Sequence, residues 1–155
     1  MRGQSGVTLM EALIVVTIIG ILAAFGFPAM TKFLQTQAVR SASYDLFSDL
    51  VFARSEAISR GTTVSIIGNA TTDWKQGWVI RENGGGSIIR TQSARSATIN
   101  FTASQADVTF DRSGRASANM TFNIVPVDAT TNVHMKRCIR LDPSGRPKSA
   151  EGSCA

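Results

Sequence analysis

The chain has 155 residues, of which 43% are hydrophobic and 17% are charged. This length and composition fit one folded domain with an appended segment and exclude a chain that is disordered throughout. Sixteen Lys and Arg residues against eleven Asp and Glu residues leave a net charge of +5, which favours anionic partners such as a membrane surface or a nucleic acid. The single histidine, His134, argues against a histidine-based metal site, and two cysteines exclude a zinc ribbon.

An uncharged apolar segment runs from Ala12 to Thr31. As a helix rising about 1.5 Å per residue, it would be about 30 Å long, which is the thickness of the hydrocarbon core of a membrane. A cleaved secretory signal peptide and a plain membrane anchor both account for this length. Neither explains Glu11, a carboxylate at the start of the apolar run, where burial in a membrane would be costly.

A cut after Gly6 would explain Glu11. Val7 would become the new amino terminus, and Glu11 would follow four residues later, one helical turn away on the same face. Its carboxylate could then pair with a terminal ammonium group, its own or that of a neighbouring subunit. In a packed apolar assembly such a pair fixes the axial register, because any other register leaves a buried charge unpaired.

The segment SGVTLMEALIVVTIIGILAAFGFP resembles the type IV prepilin signature of pilins and type II secretion pseudopilins. The resemblance implies that residues 1–6 are a leader and that a prepilin peptidase cuts after Gly6. The same enzyme would methylate the new terminus at Val7, where the family usually has Phe. The resemblance also implies a single pass through the inner membrane, with the amino terminus in the cytoplasm and the carboxyl-terminal domain in the periplasm.

Gly20 and Pro28 interrupt the apolar segment with residues that disfavour helices by about 1 and about 3 kcal/mol relative to Ala. Membrane helices carry both residue types more often than soluble helices do, so tolerance by a bilayer is one interpretation. The resemblance suggests another, in which the segment between them melts locally when subunits pack into a fibre.

Beyond Pro28 the pattern is amphipathic, and it predicts that the helix continues to Arg60 with Gly61 as its cap. Residues 7–30 would form the transmembrane and assembly half of the helix, and 31–60 its amphipathic half. Charged residues, Asp45, Asp49 and Arg54 among them, are expected away from the buried face. The predicted buried positions are Val39, Ala42, Leu46, Leu50, Ala53 and Ala57.

After Gly61 the hydrophobic period changes from that of a helix to that of strands, so residues 61–155 are predicted to form a β-rich domain. Because no second helix follows, we expect an α+β, pilin-like fold with a long amino-terminal helix packed on antiparallel sheets. Two similar turn sequences, DRSGR at 111–115 and DPSGR at 142–146, are interpreted as good turns rather than a functional repeat. The predicted strands are 62–67, 74–82, 87–92, 97–101, 106–110, 116–125 and 133–142.

Three later segments extend the resemblance: LVFARSEAISRGTTVSI (50–66), FDRSGRAS (110–117) and CIRLDPSGRPKS (138–149). They resemble the GspH/FimT group, which contains minor pilins of type IV pili and the minor pseudopilin of type II secretion. The implied partners are other major and minor subunits, and the implied role includes priming of fibre assembly. The A-R-S-E-A run favours the pilus-side members.

Cys138 and Cys154 lie near the carboxyl end. The implied topology places them in an oxidising compartment, where a disulfide would be stable. In the chain-entropy model, a bridge that closes this loop would stabilise the folded state by about 3 kcal/mol. It would also hold the tail with residues 145–148 against the sheet. Two free buried thiols are the alternative.

No catalytic constellation can be assembled, so we expect that the protein is not an enzyme and needs no cofactor or metal. The glycines at 84–86 lack the Lys-Ser/Thr that follows in a phosphate-binding loop. His134 has no neighbouring residues that suggest metal ligands or a catalytic triad. A plain membrane-anchored periplasmic protein that never polymerises remains an alternative function.

Residues 112–155 contain seven basic and three acidic side chains, a net charge of +4. A solvated basic surface is one interpretation. In some pilus-side members of the group, a G-R-x-R loop at this place binds DNA. Here the loop reads G-R-P-K, so Arg140, Arg146 and Lys148 are the candidate phosphate contacts. Lys148 keeps the charge but lacks the planar fork of arginine, so any DNA binding should be independent of sequence and sensitive to salt.

Overall fold

The structure is a computed structural model that describes residues 8–83, 86–128 and 133–154. One long helix, α1, runs from Leu9 to Arg60. The chain divides into two compact units, with the boundary after Leu34.

The first unit is described from residue 8 to Leu34, and it consists of the first half of α1. Thr8 begins the helix, since its side-chain Oγ1 accepts a hydrogen bond of 3.2 Å from the Glu11 N–H. Most of the large apolar side chains of this unit are exposed, and Leu9 reaches 80%. None of the helices in the described residues is long and apolar enough to cross a membrane.

The second unit contains the rest of α1 and, within the described residues, eight strands in two antiparallel sheets. The first sheet has the strand order β3-β2-β1-β5 and the second has the order β4-β6-β7-β8. Short 3-10 helices at Trp74–Gln76 and Val133–Met135 precede β2 and β7. The strands are β1 Val64–Gly68, β2 Trp78–Glu82, β3 Ile88–Gln92, β4 Ile99–Ala103, β5 Asp107–Phe110, β6 Met120–Pro126, β7 Arg137–Leu141 and β8 Pro147–Glu151.

Helix α1 ends where the sequence predicts, at Arg60. Gly61 takes a positive φ of 64°, and its N–H donates to the Ile58 carbonyl at 3.3 Å. The Thr62 N–H donates to the Ala57 carbonyl at 3.3 Å. These two bonds form a Schellman motif, which satisfies carbonyls that the end of a helix leaves open.

One hydrophobic core joins α1 to both sheets, which confirms the predicted α+β fold. All six predicted helix positions, from Val39 to Ala57, are buried. Four aromatic rings form the centre of the core and contact one another at centroid distances of 4.9 to 6.4 Å with tilted or edge-on geometry. They are Trp74, Trp78, Phe101 and Phe122.

Several strand boundaries differ from the prediction. The predicted strand 74–82 begins with a 3-10 turn because the Asp73 carboxylate accepts the Lys75 N–H at 3.2 Å. The predicted strand 133–142 also begins with a 3-10 turn. Strand β8 was not predicted, because its sequence PKSAE has neither alternating hydrophobicity nor β-branched residues.

The expectation that Asp49 lies away from the buried face is wrong, since only 1% of the residue is exposed. The Trp78 Nε1–H donates to its Oδ2 at 2.9 Å, and Arg90 Nη1 donates to its Oδ1 at 2.8 Å. The Arg90 guanidinium also lies 3.8 Å above the Phe52 ring. Both carboxylate oxygens therefore have partners on the first sheet, which makes burial of the charge tolerable.

Replacing Asp49 with Ala should destabilise the second unit by about 3 kcal/mol, because it leaves the buried Trp78 N–H and one arginine charge without their partner. Asp45→Ala is the matched control, since it removes a similar pair with Arg95 (2.8 Å) whose carboxylate is one-third exposed. We expect it to cost about 1 kcal/mol or less. Denaturant unfolding in detergent, followed by tryptophan fluorescence, measures both. Equal losses would contradict a special role for Asp49.

Candidate functional site

The proposed processing site lies at the start of the chain, and Gly6 and Val7 are outside the described residues. Glu11 is exposed in the first turn of α1. None of the ion pairs within the described part of the chain involves it. A carboxylate in the first turn is also stabilised by the positive end of the helix dipole. Its pairing with an amino terminus therefore stays a prediction.

The exposed apolar surface of the first unit is the second part of the candidate site. Helix α1 runs through Gly20 and Pro28 by its bounds. A Cβ atom added at Gly20 would meet nothing within 4 Å, so close packing within the chain does not require this glycine. Contiguous apolar surface of this extent marks contact with another protein or a membrane.

The two D-x-S-G-R turns of the second unit share one geometry. In the first, Asp111 Oδ1 accepts bonds from the Ser113 N–H at 2.9 Å and the Ser113 hydroxyl at 2.7 Å. In the second, Asp142 Oδ1 accepts from the Ser144 N–H at 3.0 Å and from the Ser144 hydroxyl. In each turn the serine hydroxyl is the main cause that lowers the pKa of the aspartate. Both carboxylates therefore stay ionised well into the acid range.

The two turns also contact each other and α1, which their interpretation as two separate turns missed. The Ala116 N–H donates to the Pro143 carbonyl at 3.2 Å. A Cβ atom built on Gly145 would lie 2.0 Å from the Gly114 carbonyl oxygen. Arg54 Nε donates to that same oxygen at 3.0 Å. The three segments that carry the resemblance to the GspH/FimT group thus meet at one place, near the carboxyl end of α1.

Replacing Gly145 with Ala should destabilise the second unit by about 1–3 kcal/mol more than the matched change Gly61→Ala. Both glycines have positive φ, 74° and 64°, so both variants carry a left-handed strain of about 1–2 kcal/mol. At Gly145 the new methyl group would overlap the Gly114 carbonyl oxygen, whereas at Gly61 it would meet no atom within 4 Å. Urea midpoints measure the difference. Equal midpoints would show that the turns can separate at little cost.

The candidate basic residues lie around strand β8. Arg140 of β7 is directly opposite Lys148 of β8, and both are exposed. Arg146 is exposed just before β8 begins. The prediction that residues 145–148 form a loop is therefore wrong for Pro147 and Lys148, which start a strand. Proline is tolerated at the first residue of an edge strand.

A neighbouring acid reduces the charge of this basic face. Lys148 Nζ lies 3.5 Å from Asp142 Oδ2, and Asp142 remains ionised because its pKa is lowered. Both residues, together with Arg140 and Thr121, line a shallow pocket of about 360 Å³. The pocket combines two cations with one anion, so its net charge is smaller than the sequence suggests.

The predicted disulfide between Cys138 and Cys154 is present, with a Cα–Cα distance of 5.1 Å. The Cys154 N–H also donates to Asn123 Oδ1 at 2.6 Å. The bridge and this hydrogen bond hold Cys154 against the second sheet. Residues 147 and 148 are instead held by pairing with β7, which corrects the expectation that the bridge would hold them.

His134 Nδ1 lies within hydrogen-bond distance of Glu151 Oε2, at 2.8 Å. The described residues contain no group of three or more His, Cys, Asp or Glu side chains that could hold a metal ion.

The long helix with an exposed apolar first half, packed through its second half on two antiparallel sheets, defines a pilin-like subunit. The family of type II transport protein GspH matches residues 42–145, and the prokaryotic N-terminal methylation motif matches residues 1–27. The chain therefore belongs to the GspH family. Proteins of this class are structural subunits of type IV pili or type II secretion systems and not enzymes.

Solved structures of minor pilins and pseudopilins have the same fold. The type IV minor pilin FimU of Pseudomonas aeruginosa is 25% identical, with a TM-score of 0.66 over 79% of this chain and 99% of that chain. The minor pseudopilin EPSH of the Vibrio cholerae type II secretion system is 10% identical, with a TM-score of 0.60 over 77% and 98%. This second likeness shows the fold alone. Comparison with curated protein sequences gives no match.

Proposed function

We propose that this protein is a minor pilin or minor pseudopilin that becomes part of a fibre. A prepilin peptidase cuts it after Gly6 and methylates Val7. The uncharged segment anchors it in the inner membrane, with the second unit in the periplasm. It then enters a type IV pilus or a type II secretion pseudopilus and helps to prime assembly. The methylation motif at residues 1–27 and the GspH family support this sequence of events.

The observation that carries the proposal is the exposed apolar surface of the first unit. Leucine, isoleucine and valine side chains between Leu9 and Leu34 are half or more exposed. Burial of such surface contributes about 25 cal/mol per Å². A lipid bilayer would bury it before assembly, and the helices of neighbouring subunits would bury it in the fibre. Neither role needs any contact within the chain itself.

Glu11 sets the register of this packing in the proposed fibre. Its carboxylate is exposed and forms no ion pair with the other described residues. It is therefore available to pair with the methylated amino terminus of Val7 in a neighbouring subunit. The segment between Gly20 and Pro28 melts locally as subunits pack, since both residues weaken a helix.

The similarity to FimU favours a type IV pilus over a secretion pseudopilus. FimU is a type IV minor pilin and shares 25% identity with this chain, against 10% for the pseudopilin EPSH. The A-R-S-E-A run at 53–57 favours the same choice.

The first experiment is intact-mass and amino-terminal analysis of the protein from sheared surface filaments and from membranes. We expect an N-methylated Val7 terminus in the filament fraction. Glu11→Ala should be processed but lost from filaments, because an uncompensated amino terminus would be buried. Glu56→Gln, which changes a half-buried carboxylate of α1 that pairs with Arg60 at 2.6 Å, is the control and should assemble normally. An uncut Met1 terminus confined to membranes would favour a plain anchor that never polymerises. Normal assembly of Glu11→Ala would instead show that Glu11 does not set the register of the fibre.

DNA uptake is a second candidate function, supported by the exposed pair of Arg140 and Lys148 on neighbouring strands. Because Asp142 offsets part of this charge, the contact would be weak and electrostatic. No aromatic side chain is interspersed among the basic residues of 136–148, so stacking on bases has no support.

The double change Arg146→Gln/Lys148→Gln should weaken any DNA binding several-fold and reduce its salt dependence by about two phosphate contacts. The matched control is Arg112→Gln/Arg115→Gln, which removes the same amount of positive charge at the first D-x-S-G-R turn, residues 111–115. Titration of the full chain in detergent with a DNA duplex at several salt concentrations measures both. Equal weakening would mean net charge alone is responsible, and no binding by the unaltered chain would dispose of this function.

A further inference from the structure

A groove lies between helix α1 and the β8 edge of the second sheet. Its volume is about 330 Å³ and its surface is mostly apolar. On the helix side, Tyr44 is 75% exposed, while Phe47 is half-buried and packs against the core. The lining residues are Arg40, Ser43, Tyr44, Phe47, Arg137 and Ser149.

The groove exists because the core covers β7 but does not extend to β8. Ile139 is opposite Ser149 in the register, and Leu141 is opposite Pro147. Both β7 side chains are buried in the core, whereas Ser149 is exposed. Since facing residues of paired strands share one side of a sheet, the inner side of β8 has no covering layer from α1.

None of the described residues forms a strand on the outer edge of β8, because β8 is the last strand of its sheet. The Gly152 N–H donates to the Lys136 carbonyl at 3.1 Å, which extends the ladder beyond Glu151. Hydrogen-bonded pairs alternate along antiparallel strands. The backbone N–H and C=O groups of Lys148 and Ala150 therefore bond to β7, whereas those of Ser149 and Glu151 point away from β7, toward the open edge. Such an edge is a template for an added strand.

The charges beside the groove select the occupant. Arg137 Nη1 pairs with Glu151 Oε1 at 2.9 Å. Arg137 first, and then His134, lower the pKa of Glu151 through hydrogen bonds, so this pair stays ionised and compensated. Arg40 is exposed and takes part in none of the ion pairs of the described residues. One cation next to an apolar wall is complementary to a carboxylate next to an apolar side chain.

We propose that an extended acidic segment of a neighbouring pilin-class subunit docks in this groove as an added strand on β8. Its backbone pairs with Ser149 and Glu151, its carboxylate binds Arg40, and an apolar side chain packs against Tyr44 and Phe47. This inference rests on the proposed function, because the neighbour is a subunit of the same fibre.

Photo-crosslinking in cells tests the proposal on the full chain. A benzoylphenylalanine replaces Tyr44, which it resembles in size, and a control carries the same group at Ile88, which is 65% exposed on the first sheet. Filaments are sheared, and the crosslinked peptides are identified by mass spectrometry. We expect crosslinks at Tyr44 to an acidic, non-helical segment of another pilin-class subunit, and none to that segment at Ile88.

Two pairs of variants separate strand addition from simple proximity. Ser149→Pro removes an outward N–H that β7 does not use, whereas Ser149→Ala keeps it. Arg40→Glu reverses the cation, whereas Arg40→Lys keeps it. Ser149→Pro and Arg40→Glu should each reduce the Tyr44 crosslink by about tenfold, as expected for one lost hydrogen bond or ion pair. Ser149→Ala and Arg40→Lys should leave it nearly unchanged, and tryptophan fluorescence confirms that each variant is folded.

Equal crosslinks at Tyr44 and Ile88, a crosslinked segment that is helical or basic, or equal effects of Ser149→Pro and Ser149→Ala would each overturn the proposal. A chain that reaches the filaments but gives no crosslink at Tyr44 would overturn this inference alone. A chain that never reaches the filaments would overturn the proposed function together with it.

Discussion

The burial of one face of α1 between Val39 and Ala57 is the constraint on which the second unit depends. Both sheets contribute to the core that covers this face, so neither sheet has a complete core without the helix. Alanine at positions 42, 53 and 57 has a small side chain, so the buried face of the helix takes up little volume. This leaves space for the large rings of Trp78 and Phe101 in the same core. The same helix therefore serves as the framework of the domain and carries the exposed apolar side chains of the first unit.

Polar contacts also hold the sheets against this helix, and they add directional constraints that hydrophobic burial by itself does not supply. Asp49 binds Trp78 and Arg90 of the first sheet. Arg54, five residues later, donates to the Gly114 carbonyl where the two turns meet. Because β8 begins directly after the second turn, this contact also determines where the free edge and its basic residues lie. The motifs shared with the GspH/FimT group are thus explained by geometry at the end of α1.

Features that depend on local spacing could be predicted from the sequence, and features that depend on distant partners could not. The buried stripe of α1 and the cap at Gly61 follow from periodicity and from one glycine. The burial of Asp49 depends on partners 29 and 41 residues away, which no local pattern reveals. Strand β8 forms because β7 offers it a backbone ladder, not because PKSAE favours a strand. The processing site rests on sequence motifs alone, since Gly6 and Val7 lie outside the described residues.

The free edge of β8 has features that limit unspecific pairing. It is five residues long, begins with Pro147, which has no N–H to donate, and carries Lys148. Two outward N–H groups and one unpaired cation give only a weak contact by themselves. A weak contact becomes effective when its partner is held nearby, because tethering raises the local concentration to the millimolar range. Helix packing in a fibre would supply that tether, so the edge would pair with a neighbouring subunit during assembly and stay open in the unassembled protein.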